Sequence, residues 1–360
     1  MKLTLHSLRA RAFTHTLFPR TTLPLAFDRL GFVQADPIRA PARAQDLILR
    51  HRVEGYRAGD LEREYPALDI EEGYLYAYGF LRRDIWQLRH PPNTSRLSRL
   101  ERELLAKVAE LGVVHPDALR ELGGRKRAVN AWGGYSTLAK LALENLHGRG
   151  LLRIARRENG IRLYEPCPPP TETLSPGEVF RRVTLSVANV LSPTPERSLR
   201  SIMARLARTL RGLRSPALAL AELVKSGALE RHAIGGVNYL CPAHVAGTPQ
   251  AGEDVEAPRT VRILAPFDPL VWDRQRFEQL WSWAYRFEAY TPVPKRVRGY
   301  YAMPVAWGDL VIGWANVESA GKELHAELGF ASARPRSREF RVQLDAELER
   351  LRTFLGRAGH

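Results

Sequence analysis

The sequence predicts a mostly helical α+β chain: tandem winged helix-turn-helix domains followed by a small C-terminal β-rich domain. Three observations predict this. The order helix, short helix, helix, two-stranded hairpin occurs twice. The two copies align at Gly150-Leu151-Leu152 and Gly227-Ala228-Leu229, and each hairpin soon meets a proline, Pro166 or Pro242. Beyond a Gly/Pro/acid-rich linker, Ala243–Pro258, the pattern changes to strand-like runs.

In chain order, Leu5–Leu17 reads as a helix and Leu23–Leu30 as a second one ending at Gly31. Gly31–Asp36 is extended. Pro41 in a first turn starts a helix over Ala42–Arg52, which stops at Gly55. Leu61–Pro92 is rich in Tyr and Trp and closes at Pro91-Pro92-Asn93. Leu97–Leu111 carries Leu97, Leu100, Leu104, Leu105, Val108 and Leu111 at helical spacing. Pro116–Leu122 and Ser136–Leu146 follow as helices. Leu151–Arg157 and Ile161–Glu165 then form a hairpin around Asn159-Gly160. The second unit comprises Gly177–Leu191, Glu196–Leu213, Pro216–Ser226 and a hairpin over Leu229–Leu240 turning at Gly235-Gly236. Strands are expected over Thr260–Leu264, Tyr300–Val305 and Leu310–Ala315, with a terminal helix Phe340–Phe354. The expected domains are 1–92 (winged-helix-like), 93–168 and 169–246 (winged helices) and 257–360 (β-rich).

Composition narrows the function. The 360 residues carry 54 Lys+Arg against 39 Asp+Glu, a formal charge of +15 and a pI near 10.2. The excess sits in the first two thirds, which points to a polyanionic partner there, nucleic acid first of all. Cys167 and Cys241 lack ligand spacing, so neither a disulfide scaffold nor a zinc knuckle is indicated. No apolar run approaches the ~20 residues of a membrane span. The first 27 residues lack acids, but their apolar pattern flows straight into the first domain, so no targeting peptide is expected.

The basic residues are patterned. On a helix over Arg197–Arg214, Arg197, Arg200, Arg208 and Arg211 fall within about 80° of one another, while Leu199, Ile202 and Leu206 lie opposite. Few acids interleave, so a polyanion would relieve the mutual repulsion; a solvated face is the bland alternative. Arg153, Arg156, Arg157 and Arg162 make the first hairpin a basic wing. The bland reading there is a charged edge strand that discourages aggregation. Lys295 and Arg296, beside Tyr290 and Trp283, form a weaker basic and aromatic cluster.

Motifs for nucleotide or metal chemistry are missing: no P-loop, dinucleotide fingerprint, HExxH or CxxC occurs. His51, His90 and His232 stand alone and read as structural. What remains is carboxylate chemistry, for which Leu30–Arg52 is the best stretch. In an extended Gly31–Asp36, Gln34 and Asp36 share a face. Arg39, Arg43, Arg50 and Arg52 follow closely. One carboxylate suffices to activate water or stabilise an oxocarbenium-like sugar, and an amide can position either. Taken alone, Asp36 before Pro37 reads more readily as an Asx turn.

Several motifs resemble the AlkZ-like DNA glycosylases, bacterial winged-helix proteins that excise alkylated bases and unhook interstrand crosslinks. They are Gly31-Phe32-Val33-Gln34-Ala35-Asp36-Pro37, continuing through Arg43 and Leu47-Ile48-Leu49 to Arg52; Ala265-Pro266-Phe267-Asp268-Pro269-Leu270-Val271-Trp272-Asp273-Arg274; and Tyr290-Thr291-Pro292-Val293-Pro294-Lys295-Arg296 with Gly299-Tyr300-Tyr301. The resemblance implies a concave DNA-binding body of tandem winged helices, and catalysis by Gln34 and Asp36. Asp36 would be the base or oxocarbenium stabiliser, and Gln34 would place the water or sugar. Two stretches depart from the family pattern. Tyr74–Gly79 contains no His where the family commonly has Tyr-Trp-x-His, and Gly313-Trp314-Ala315-Asn316 stands where Gly-Arg-x-Asp is common.

The expected activity is therefore hydrolysis of the N-glycosidic bond of alkylated or crosslinked purines in double-stranded DNA. No cofactor or metal is expected, and the protein is expected to be a cytoplasmic, nucleoid-associated monomer. The competing expectation is a catalytically inactive tandem winged-helix protein with a structural or regulatory role. Expected DNA contacts are Arg39, Arg43, Arg52, Arg153, Arg156, Arg157, Arg197, Arg200, Arg208, Arg211, Lys295 and Arg296.

Overall fold

The computed structural model describes residues 4–123, 127–129, 133–209, 215–246, 259–320 and 323–356. It is an α+β fold. Arg211 and Arg214 of the arginine face, and most of the 243–258 linker, lie outside the described residues.

Local chemistry sets the helix ends. Thr4 caps the Leu5–Thr16 helix through a reciprocal box with Ser7. Gly31, at φ +75°, ends Leu23–Leu30 in the left-handed region that glycine tolerates best. The Ser98 hydroxyl accepts from Glu101 N–H at 3.2 Å while Glu101 Oε2 accepts from Ser98 N–H at 2.6 Å. That box starts the helix at Arg99 rather than Leu97, and it runs to Leu111.

The main helices and the closing hairpin of both repeated units follow the expected order, but the first also holds an unforeseen antiparallel pair, Arg127–Val129 with Tyr135–Thr137. The first has Arg99–Leu111, the short Pro116–Leu119 and Arg120–Gly123 turns, Leu138–Gly148, and the hairpin Leu152–Glu158 with Ile161–Pro166. Asn159 and Gly160 both have positive φ, as a tight Asn-Gly turn requires. The second has Pro176–Val190, Glu196–Ala207, Pro216–Lys225, and the hairpin Leu229–Ile234 with Val237–Pro242. In each, a residue beyond the first helix pairs with the second hairpin strand: Val114 with Tyr164, and Thr194 with Leu240.

Several elements were not foreseen. The Tyr/Trp-rich region contains an antiparallel pair, Ile70–Tyr74 with Tyr78–Arg82, and a helix, Arg83–Arg89. Glu71 and Glu72 in that strand are buried, so its hydrophobic alternation is invisible in the sequence. The expected Ala42–Arg52 helix is the shorter Ala44–Leu49. The C-terminal sheet has the order Val261–Ile263, Met303–Trp307, Leu310–Ala320, Glu323–Phe330; the last was not foreseen, although its Leu324, Ala326, Leu328 and Phe330 alternate with Glu323, His325, Glu327 and Gly329 and pack on the core.

The apolar cores cross the expected boundaries. One joins Leu47 and Phe80 to Leu104, Leu143, Ile263, Phe340 and Leu351. A second joins Phe32, Leu81 and Trp86 to Phe180, Val187 and Leu240. A third seats the first helix, through Leu8 and Phe13, against Phe277 and Trp281.

The two ends are also tied by charge, and this corrects the expectation for Arg52. Its side chain is fully buried and bidentate to Asp268, at 2.8 and 3.0 Å, and it donates to the carbonyls of Thr16 and Ile48. A guanidinium so enclosed cannot reach a phosphate; it holds the first helical region onto the 265–274 motif. Arg50 is likewise buried, donating to Glu347 at 2.6 Å and to the Ile263 carbonyl. Among the described residues no helix is long and apolar enough to cross a membrane.

Candidate active site

The three-residue strand Phe32–Gln34 sits at the edge of a sheet, antiparallel to Tyr78–Arg82, with Gln34 opposite Gly79. Any Cβ on Gly79 would collide with the Val33 carbonyl and the Phe32 ring, so the close pairing that presents Gln34 requires glycine. Ala35 N–H continues the pairing onto the Tyr78 carbonyl. The chain then turns at Asp36, whose Oδ1 accepts from Ile38 N–H at 2.9 Å. Both readings of Asp36 therefore hold at once: it makes an Asx turn, and it lines a cavity.

That cavity measures about 720 Å³ and brings Gln34 and Asp36 together with Tyr74, Tyr78 and Tyr290. Its size falls within the ~300–1,000 Å³ of small-ligand sites. Gln34 Oε1 is buried with no hydrogen-bond partner in the protein, leaving an acceptor free beside the carboxylate. One Asp36 oxygen is held by the turn; partial burial raises the carboxyl above its ordinary value, against the lowering effect of Ile38 N–H. Tyr290 and Tyr301 both feel the Asp36 charge.

The cavity is not the basic cleft that the sequence suggested. Arg43, Arg157 and Arg162 line it, but so do Asp36, Asp46, Glu62 and Glu72. Arg43 is spent on Glu62 at 2.9 Å. The wing is turned inward: Arg157 donates to both Glu72 oxygens at 2.8 and 2.6 Å, and Arg162 donates to Glu72 at 3.1 Å and to the Tyr78 hydroxyl. Arg153 binds Glu71 and Glu165. The expectation that Arg153 and Arg157 reach DNA is thus corrected, because buried carboxylates claim both side chains. Arg156 alone of the wing stays open, beside Glu158.

Burial by itself would raise Glu72, but Arg162 and Arg157 outweigh it and hold the carboxyl at about 2. Its neighbour Glu71 shows the opposite balance: burial lifts it to about 7 despite Arg153 and Arg83. A Glu72→Gln variant should therefore lose about 2 kcal/mol, the scale of a lost hydrogen bond to a charged group. Since the folded pKa lies below the ordinary 4.5, this contribution is full above pH 4.5 and disappears as pH falls through about 2. Thermal unfolding of the two proteins at pH 7 and pH 3 checks this: the gap should narrow at the lower pH.

The remaining cations form an outer set. Arg39, Arg197, Arg208 and Lys295 are exposed, and Arg200, 61% exposed, touches Glu196 at 2.8 Å. On Glu196–Ala207 the apolar face is as expected, with Leu199, Ile202 and Leu206 buried. Arg296 donates to the Thr291 carbonyl and lies over the Tyr300 ring at 5.1 Å.

Sequence reasoning missed Glu72, Tyr74 and Tyr78 as site residues. The adjacent Glu71-Glu72 inside an aromatic run was the available signal. His90 is structural, stacked on Trp86 at 5.0 Å with Nδ1 donating to the Gly148 carbonyl. His51 is buried against the Ile263 carbonyl. Among the described residues no group of three or more His, Cys, Asp or Glu could hold a metal ion.

Two comparisons bear on this arrangement. The chain is similar over its whole length to a solved structure, the DNA glycosylase AlkZ of Streptomyces sahachiroi, at a TM-score of 0.60 and 16% identity, covering 99% of each chain. At that identity the likeness concerns the fold. The family model for AlkZ-like DNA glycosylases matches residues 27–354, spanning both Gln34-x-Asp36 and the 265–274 motif. With the match running through nearly every element described above, the chain belongs to the AlkZ-like DNA glycosylase family.

Proposed function

We propose that this protein is a monofunctional DNA glycosylase acting as a monomer on alkylated or crosslinked purines in duplex DNA. The observation that carries the reading is the convergence of Gln34 and Asp36 on one aromatic-walled cavity. In the reaction, the oxygen of a water molecule forms a bond to the sugar C1′, and the C1′–N bond breaks with its electron pair leaving on the base. The water proton passes to the Asp36 carboxylate and then to solvent. Before that, Asp36 stabilises positive charge on the sugar, and the free Gln34 acceptor orients the attacking water. An alkylated purine is already cationic, so it leaves without a general acid. A cavity whose arginines are neutralised by carboxylates suits such a substrate better than a basic cleft would.

The outer cations, Arg39, Arg197, Arg200, Arg208 and Lys295, would meet phosphates, with the two helix-and-hairpin units serving as winged helices. The test is release of base from alkylated duplex by wild type and Asp36→Asn. Equal release by both removes Asp36 from the chemistry, and none by either removes the catalytic reading in favour of an inactive DNA-binding protein. For the phosphate surface, Arg200→Glu with Arg208→Glu should weaken duplex binding at least tenfold near 0.1 M salt and flatten the slope of log affinity against log salt by about 2. Fluorescence anisotropy across a salt series measures both; an unchanged slope excludes this face.

A further inference from the structure

Between Tyr290 and Tyr300 the chain leaves four large apolar side chains in solvent: Tyr290 is 79% exposed, Val293 69%, Val297 77% and Tyr300 45%. Single exposed apolar residues are ordinary, but four on one short loop mark a contact surface. The loop is firmly held at its base. The buried Glu288 carboxylate accepts from the backbone N–H groups of Val297, Arg298 and Gly299 at 2.9, 2.7 and 3.3 Å. Asn316 donates to the Arg298 carbonyl at 2.6 Å, and the Arg298 guanidinium lies over Trp283 and Trp314. Gly299, at φ +123°, packs where a Cβ would strike the Asn316 side chain. An apolar tip on a fixed base meets its ordering cost before any partner arrives.

The surroundings select the partner. Lys295 is exposed and Arg296 flanks Tyr300, so cations lie beside the apolar tip. Tyr290 also lines the cavity that holds Gln34 and Asp36. Apolar and aromatic groups flanked by cations match a partly unstacked duplex, with π-faces inside and phosphates outside. We propose that the Tyr290–Tyr300 loop is a wedge that enters the base stack of duplex DNA beside the target nucleotide. Tyr290 stacks on the neighbouring base while the target occupies the cavity. This rests on the glycosylase reading for the identity of the polymer and extends it to how the target is held open.

The test compares binding of the full chain to two duplexes of one sequence, one intact and one with a tetrahydrofuran abasic analogue at its centre. Neither contains a base to be released, so the result is independent of catalysis. Wild type should favour the abasic duplex. Tyr290→Ala should reduce that preference about tenfold, within the range of one lost base–aromatic stack, and Tyr290→Phe should keep it. Lys295→Ala with Arg296→Ala should weaken both duplexes alike. Tyr290→Ala binding both duplexes as wild type does, or losing affinity equally on both, overturns the wedge. If Asp36-dependent base release accompanies either of those results, the glycosylase reading stands without the wedge. Tyr290-dependent preference in a chain that releases no base supports the wedge and removes the catalytic reading.

Discussion

Asp36→Asn is expected to slow base release about 10²–10⁴-fold, the usual contribution of a positioned general base, while leaving duplex affinity within about twofold. The substitution is clean for a structural reason. The Asn carbonyl oxygen can still accept from Ile38 N–H, as Asp36 Oδ1 does at 2.9 Å, so the turn that presents the side chain survives. What is lost is the negative charge and the proton acceptor. The pH dependence separates this from a mere change of shape. Burial raises the Asp36 carboxyl above its ordinary 3.8, and the working form is the ionised one. The wild-type rate should therefore climb with pH through a value above 3.8 and then level off, whereas the Asn variant should be slow and flat. Single-turnover release from alkylated duplex across pH 4–8 reads both. A wild-type rate with no acid limb would remove Asp36 as the base.

Arg52→Met is expected to destabilise the protein by about 3–5 kcal/mol, because it strands a fully buried carboxylate. Asp268 has no exposed surface, and both of its oxygens are held by Arg52. Removing the guanidinium also frees the carbonyls of Thr16 and Ile48. For a chain of this size that corresponds to a fall in Tm of roughly 4–7 °C. Pairing it with Asp268→Leu should recover more than half of the loss, since replacing both members of a buried ion pair by apolar groups costs far less than removing one. Thermal unfolding of the two single variants and the double variant gives the cycle. Losses that simply add would show that Arg52 stabilises by packing instead.

The fates of Arg52 and of the wing arginines explain why the site was only partly legible. Gln34 and Asp36 stood out because period-two alternation placed them on one face, and the structure puts both on one cavity. The cavity's other wall was not foreseen. Glu72, Tyr74 and Tyr78 come from a hairpin whose buried acids imitate a solvent-facing strand. The basic wing was read correctly as a hairpin, but its charge was assigned to a partner outside the chain. The nearest anion is Glu72, which lies 85 residues before Arg157.

By itself the sequence determined the order of the main helices and the closing hairpin of both repeated units, the apolar face of Glu196–Ala207, the turn at Asn159-Gly160 and, through its motifs, the family. All of these depend on neighbours within a few residues, where spacing and capping chemistry decide the outcome. The tertiary structure alone decided which charges are available. Arg52 meets Asp268 across 216 residues, and no local pattern distinguishes it from Arg39, which stays in solvent. A guanidinium binds whichever carboxylate the fold brings within reach. Arg39, Arg197, Arg208 and Lys295 are left in solvent.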